Sequence, residues 1–302
     1  MKTMIRNGIV VPMNRNMDVW PDGYVVFEGT KILEAGPVDG LDAAIIRHGG
    51  ENGTGSDFQV IDARRAIVMP GMGNTHCHLG MIPFRGLGDD CKDRLRVFLL
   101  PMEEQAMDCE LAVASSRYAV AELLLGGVTT VLDMYYFEDQ VARVMDEMGI
   151  RGIAGETVME EATCDAESPQ EAIARGEAMI RAYRDHPRIK GCLAPHGTTT
   201  CSPDTLRRVH DVDRFYNVPF TLHVAEMDYE MIQLRDSFGL TPVEYLNELG
   251  VLDENTVSAH SIRLTEEDIR ILKETGASVA HCIASNTKAA KGVAPVRAMH
   301  RA

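Results

Sequence analysis

The sequence predicts an α/β protein of the (β/α)8 TIM-barrel type, preceded by a small β unit. Three observations carry this reading. From Ala66 onward, strand-like and helix-like segments alternate, which points to a parallel sheet with helices outside it. Before Ala66 the chain holds only short runs rich in Val, Ile and Phe. Finally, His76/His78, Asp133, Glu156, His196, His223/Glu226 and His260 fall at the C-terminal ends of many of the expected strands. In a barrel those ends converge on one mouth. A doubly wound open sheet is the alternative, but it offers only a switch-point crevice, and the chain has no GxGxxG.

The expected elements follow in order. Met4–Val11, Tyr24–Glu34 and Gln59–Val68 read as strands, broken by Asn14-Arg15-Asn16, Pro21-Asp22-Gly23 and the Gly-rich stretch His48 to Gly55. The apolar run Ala66–Met72 leads into Asn74-Thr75-His76-Cys77-His78 and counts as the first of seven β/α strands. A long helix is expected from about Leu99 to Leu125, ended by Gly126-Gly127. Strands then read at Val128–Met134, Ile150–Val158, Ile189–Ala194, Val218–Val224, Thr256–Ala259 and Ala277–Ala280. Helices read at Phe137–Met148, Pro169–Tyr183, Pro203–Tyr216, around Met231 and Tyr245, and at Glu266–Thr275. Ser168-Pro169, Ser202-Pro203 and Thr241-Pro242 each set a capping hydroxyl before a proline at the first helical position. Thr265 and Asp268 are spaced as a capping box, and Gly149, Gly250 and Gly276 stand where helices end in a left-handed residue. The division expected is a β unit over residues 1–65 and a barrel over 66–302.

Composition narrows the function classes. The 302 residues are 45% hydrophobic and 25% charged, an ordinary globular balance. A formal net charge of −15 repels phosphate backbones and anionic lipid, arguing against nucleic-acid or membrane partners. No apolar run approaches the roughly 18–20 residues of a membrane span. The opening MKTMIRNGIVVPMNRN does not read as a signal peptide. Seven scattered cysteines without a CxxC fit a reduced, cytoplasmic chain. The 17 methionines read as core filler.

The histidines point to chemistry. His76 and His78, at i and i+2, face the same side of a strand and can reach one metal ion. His223 ends another strand, and three imidazoles with an open position suit a catalytic first-row metal. Glu226, three residues past His223, can face metal-bound water without ligating the metal. His260 ends the next strand, where it can orient that water or stabilise charge on the reacting carbon. His281 stands between structural and site-lining roles; His48, His186, His210 and His300 read as surface residues.

At these residues the chain resembles a known family. Met69-Pro70-Gly71-Met72-Gly73-Asn74-Thr75-His76-Cys77-His78 is similar to the PGxxNTHxH opening of the amidohydrolase superfamily. Arg85-Gly86-Leu87-Gly88-Asp89-Asp90 resembles the RGxxDD segment of its cytosine/adenosine/guanine-type deaminases and chlorohydrolases. Leu100-Pro101-Met102-Glu103, Gly127-Val128-Thr129-Thr130, Asp133-Met134-Tyr135, Ala194-Pro195-His196, Leu222-His223-Val224-Ala225-Glu226, Ala259-His260, Ser285-Asn286-Thr287-Lys288 and Gly292-Val293-Ala294-Pro295-Val296 follow in the order seen in methylthioadenosine/S-adenosylhomocysteine deaminases. The resemblance spans the whole chain.

It implies a deaminase that hydrolyses a C–N bond on a purine- or pyrimidine-like heterocycle with metal-activated water. The metal would be one divalent ion, zinc with iron or manganese as alternatives, on His76, His78 and His223. Glu226 would shuttle the proton and His260 assist. Glu103 would hold ribose hydroxyls, and His196 would contact the substrate. Where the family's homocysteine-nucleoside enzymes carry arginines for the substrate carboxylate, this chain aligns Asp146 and Glu156, so Glu156 is expected at the substrate and anionic tails are expected to be poor. The family's last metal ligand is an aspartate ending strand eight, beyond Ala302. The barrel therefore reads as incomplete, with about seven strands, and the N-terminal unit as a partial β-sandwich lacking its C-terminal strands. The chain as given is then expected to be nearly inactive. A non-catalytic binding or assembly subunit of the same fold is the alternative function. A homo-oligomer remains open.

Overall fold

The computed structural model describes residues 1–49, 58–91 and 93–302. The chain divides into two compact units, Met1–Gly71 and Met72–Ala302.

Among its described residues the first unit is a mixed five-stranded sheet: β1 (Lys2–Val10), β2 (Trp20–Glu28), β3 (Lys31–Pro37), β4 (Phe58–Asp62) and β5 (Ile67–Val68). β1, β2 and β3 pair antiparallel, while β4 and β5 both run parallel to β1. The strand expected over Tyr24–Glu34 is two strands, because Gly29 takes a left-handed φ of 57° and turns the chain back. The run Gln59–Val68 is likewise split: Arg64 and Arg65 are left-handed, and Asp62 accepts the Arg64 N–H at 2.9 Å. Pro21-Asp22-Gly23, expected as a break, lies inside β2. A helix not anticipated from the sequence, α1 (Leu41–His48), buries Ala44 with Met4, Tyr24, Val26 and Phe58. Of the expected Gly-rich loop, His48 closes α1 and residues 50–55 lie outside the described residues.

Among its described residues the second unit carries seven parallel strands: β6 (Met72–Cys77), β7 (Val128–Tyr135), β8 (Arg151–Val158), β9 (Ile189–Pro195), β10 (Phe220–Val224), β11 (Thr256–His260) and β12 (Ser278–Ala280). They form the ladders β6-β7-β8-β9 and β10-β11-β12, linked by one bridge between Gly197 and His223. Strand order follows the chain throughout. A doubly wound sheet would reverse its order partway, so the arrangement is of the barrel kind. Among the described residues β6 and β12 share no ladder. The C-terminal halves of β7, β8 and β9 are buried at every position, as expected of strands covered on both faces.

The helices are α2 (Leu100–Ala106), α3 (Cys109–Leu125), α4 (Glu138–Met148), α5 (Pro169–Ala182), α6 (Pro203–Tyr216), α7 (Asp228–Phe238), α8 (Pro242–Leu249), α9 (Glu266–Thr275), α10 (Ile283–Lys288) and α11 (Val296–Arg301). Ser168, Ser202, Thr241 and Thr265 cap as their spacing predicts, the last two in full capping boxes. The single helix expected over Leu99–Leu125 is two. Asp108 leaves helical geometry and accepts the Leu111 N–H at 2.8 Å, restarting the chain as α3. Among the described residues three apolar clusters hold the unit, the smallest around Phe84, Leu99, Met107 and Tyr135. Of the larger two, one gathers Leu193, Leu206, Phe220, Leu222 and Leu246, the other Val131, Val141, Met145, Ile150 and Ile189. Full burial of such a side chain is worth about 1.5–3 kcal/mol. No helix among the described residues is long and apolar enough to cross a membrane.

Candidate active site

β6 carries His76, and His78 follows it at the strand's exit; β10 delivers His223 and β11 delivers His260. The His76 ring centroid lies 4.8 Å from those of His78 and His223 and 5.2 Å from that of His260. One ring nitrogen from each of His76, His78 and His223 lies within 4.8 Å of the others. Backbone geometry selects the tautomers. His78 donates Nδ1–H to the Met134 carbonyl, and His223 donates Nδ1–H to the His196 carbonyl at 2.6 Å. Each Nε2 is thereby left with a free lone pair. Both ring nitrogens of His76 are buried with no hydrogen-bond partner among the described residues. Burial first, and then the neighbouring imidazoles, hold His76 and His223 well below the usual histidine range. Neutral imidazoles with unpartnered nitrogens aimed at one point fit a divalent metal ion. His76 also lies with His260 and Cys282 in a second group whose donor atoms are within 4.8 Å, although the Cys282 thiol is held by the Ala280 carbonyl.

The chain strains its backbone to present the neighbouring groups. Ala225 and His260 adopt left-handed φ angles of 50° and 69°, a cost of about 1–3 kcal/mol each. Hydrogen bonds fix both turns. The Ala225 carbonyl accepts from Ile262 and Arg263, and the Glu230 carboxylate accepts from the Ala225 and Glu226 N–H groups and the Thr198 hydroxyl. The resulting turn sets Glu226 Oε1 3.4 Å from His260 Nε2 and in contact with the Lys291 ammonium. Burial alone would raise the Glu226 carboxyl, but His260 and Lys291 outweigh it and hold it below its usual range. His260 Nδ1 donates to Asn286 Oδ1 at 2.7 Å, which turns Nε2 toward Glu226.

A cavity of about 660 Å³ opens beside this cluster. Its walls come from α2, the segments after β8 and β9, and α7; His196, Glu103, Tyr136 and Tyr229 line it. The His196 ring lies 4.8 Å from that of His223, so the cavity adjoins the histidines. Glu103 is buried and accepts the Tyr135 hydroxyl at 2.8 Å. Burial pushes its carboxyl up to about 7, against the tyrosine hydrogen bonds that lower it. Gly80 makes room for Tyr135: a Cβ there would sit 2.4 Å from Tyr135 Cδ1.

His76, His78, His223, Glu226 and His260 are thus brought together, with His196 and Glu103 in the adjoining cavity. Glu156 is not: it packs between β8 and α5, with Arg175 Nε 3.3 Å away, and does not line the cavity. Asp146 is also elsewhere, at the end of α4, paired with Arg188. Both corrections have one cause, a nearby arginine that claims the carboxylate. Asp133 supports the site without lining it, accepting the Leu79 N–H at 2.8 Å just past His78. Of the histidines expected at the surface, His210 is buried against Asp253 and His48 is half-buried on Glu34. His281 is exposed. Sequence reading missed Asn286, Lys291, Glu230 and Tyr135. Asn286 and Tyr135 stood within noted motifs, but nothing in Ala290-Lys291-Gly292 marks the lysine.

The amidohydrolase family profile matches residues 67–302. The chain is 34% identical over 249 residues to a 5-methylthioadenosine/S-adenosylhomocysteine deaminase of Aquifex aeolicus, covering 82% of this chain and 58% of that protein. It is 35% identical over 296 residues to a 5'-deoxyadenosine deaminase of Methanothrix thermoacetophila, covering 97% of this chain and 64% of that one. The chain therefore spans about three fifths of the length of these relatives. An adenosine deaminase from Xanthomonas campestris, solved with bound zinc, superposes with a TM-score of 0.87 at 29% identity, over 99% of this chain and 66% of that one. The converging histidines, the strand order and these likenesses agree: the chain belongs to the amidohydrolase family.

Proposed function

We propose that the protein containing this chain is a metal-dependent aminohydrolase that replaces the ring amino group of a purine nucleoside or base with oxygen, consuming water and releasing ammonia. The observation that carries this reading is the convergence of His76, His78 and His223, with free ring nitrogens, beside Glu226 and a nucleoside-sized cavity. His76, His78 and His223 would hold the ion, and zinc is the choice that neutral imidazole donors favour. When bound, the ion supplies Lewis-acid activation of water at neutral pH.

The chain's own groups perform the remaining work. Glu226, held ionised by His260 and Lys291, takes a proton from the attacking water and delivers it to the ring nitrogen. His260, fixed by Asn286, orients Glu226 and steadies charge as the ring carbon becomes tetrahedral. His196 faces the heterocycle, and Glu103 accepts sugar hydroxyls. The relatives named as deaminases favour this over a non-catalytic subunit. Small-molecule chemistry also agrees with the −15 charge, which disfavours polyanionic partners. Seven free cysteines fit a reducing, cytoplasmic setting.

Ammonia release from a panel of adenine, guanine and their nucleosides tests the activity. Glu226→Gln is expected to keep its metal and lose about 10²–10⁴ in turnover, since the amide cannot carry the proton. Turnover near that of the parent would place the proton shuttle elsewhere.

A further inference from the structure

The cavity's charge is unbalanced. Three carboxylates, Glu104, Glu160 and Glu161, line it against one guanidinium, Arg96, with the buried Glu103 carboxyl, pushed up to about 7, beside them. Arg96 is already engaged, 2.6 Å from Asp93 and with its guanidinium carbon 4.0 Å over the Tyr229 ring. Glu160 is engaged too, accepting from the Ser202 N–H at 2.8 Å and from the Thr205 hydroxyl. Glu104 and Glu161 are exposed at the rim and have no ion pair or hydrogen bond among the described residues. Other cations are spent elsewhere: Arg94, whose charge reaches Glu103, donates to the Leu87 and Phe84 carbonyls and faces Asp89, Arg175 lies on Glu156 and Asp165, and Lys291 on Glu226. His196 marks the inner end of the cavity, beside His223. Glu103, proposed to accept sugar hydroxyls, shares the cavity wall with the two unpaired carboxylates.

We propose, building on the aminohydrolase reading, that this rim selects substrates by charge. It admits a neutral or cationic group on the far side of the sugar and rejects a carboxylate or phosphate, with Glu104 and Glu161 as the discriminating side chains. A carboxylate arriving here loses part of its hydration and meets like charge, with no free guanidinium to clamp it. A cation meets two unpaired carboxylates. This selection differs from the one expected of Asp146 and Glu156, neither of which reaches the cavity.

The test compares kcat/KM at pH 7 for three adenosines differing only at the 5' position: 5'-deoxyadenosine, 5'-amino-5'-deoxyadenosine and adenosine 5'-monophosphate. The anionic substrate is expected to be slower than the other two by tenfold or more. In Glu104→Gln/Glu161→Gln, the ratio of anionic to neutral rates should rise about threefold or more. In the unmodified protein, 0.5 M salt should raise it similarly, because screening weakens repulsion between exposed charges. An anionic substrate as fast as the neutral one, or a ratio unmoved by both the substitutions and salt, would overturn the selection while leaving the deaminase reading intact. Turnover of none of the three, in protein that also fails on the wider purine panel, would overturn both.

Discussion

Two buried polar clusters lie a few residues apart in the second unit, and their contrast separates a reactive site from a structural one. At the ends of β6, β10 and β11, imidazoles crowd together, with Nδ1 of His78 and His223 tied to backbone carbonyls and both ring nitrogens of His76 unpartnered among the described residues. Around β7 and β8, the carboxyl groups of Asp133, Glu138, Glu156 and Asp165 are buried together. Three of them find partners in the fold: Asp133 accepts the Leu79 N–H, Asp165 accepts the Phe137 N–H, and the Arg175 guanidinium lies beside Glu156 and Asp165. Burial raises the Asp133, Glu138 and Glu156 carboxyls, and the one cation set among these groups is the protein's own Arg175. Density of ionisable groups is common to both clusters. Unpartnered buried atoms occur in both as well, but among the described residues only the first brings three donor atoms within 4.8 Å of one another.

The largest expected effect breaks the first cluster. His76→Ala should reduce bound metal from about one ion per chain to almost none, with turnover falling more than about 10³-fold. Metal analysis of the purified variant decides it, and undiminished metal would mean that the imidazoles are only packed together. Breaking the second cluster should affect stability and spare metal. Arg175→Met leaves Glu156 and Asp165 buried beside an apolar stem and should lower the unfolding free energy by about 3 kcal/mol. Denaturant titration would show this, and a stability equal to the parent's would strip Arg175 of its structural role.

The smallest effect is a pH dependence, and it sharpens the contrast at a carboxyl lying in neither cluster. Glu103 holds its proton up to about 7 when folded, against an ordinary value of 4.5. Between those values the folded chain binds the extra proton, so its stability falls as pH rises through that window and is fully present only below it. Glu103→Gln should flatten that decline by roughly 2–3 kcal/mol, measured as the difference in unfolding free energy between pH 4.5 and pH 8. An unchanged slope would show that Glu103 is ionised throughout.

Much of this site is legible in the chain. The alternation of strands and helices, the capping pairs Ser168-Pro169 and Thr265/Asp268, and the placing of His76, His78, His223 and His260 at strand ends are all local patterns. Local chemistry misleads where side chains choose partners far along the chain. Glu156 ends a strand as the histidines do, yet its carboxylate turns to Arg175 on the next helix. Asp108 fits a helical run, yet its side chain captures the Leu111 N–H and splits the helix in two.

The sequence by itself determined the parallel order of the strands and the identity of the converging imidazoles, because periodicity and strand-end position are properties of neighbouring residues, and the resemblance of its short motifs pointed to the family. Only the tertiary structure decided which ring nitrogens are free, how Asn286 and Lys291 reach His260 and Glu226 across 26 and 65 residues, and which carboxylates line the cavity. Those outcomes follow from packing. A buried donor or acceptor must find a partner in three dimensions, and the partner it finds depends on which strands and helices the fold sets side by side.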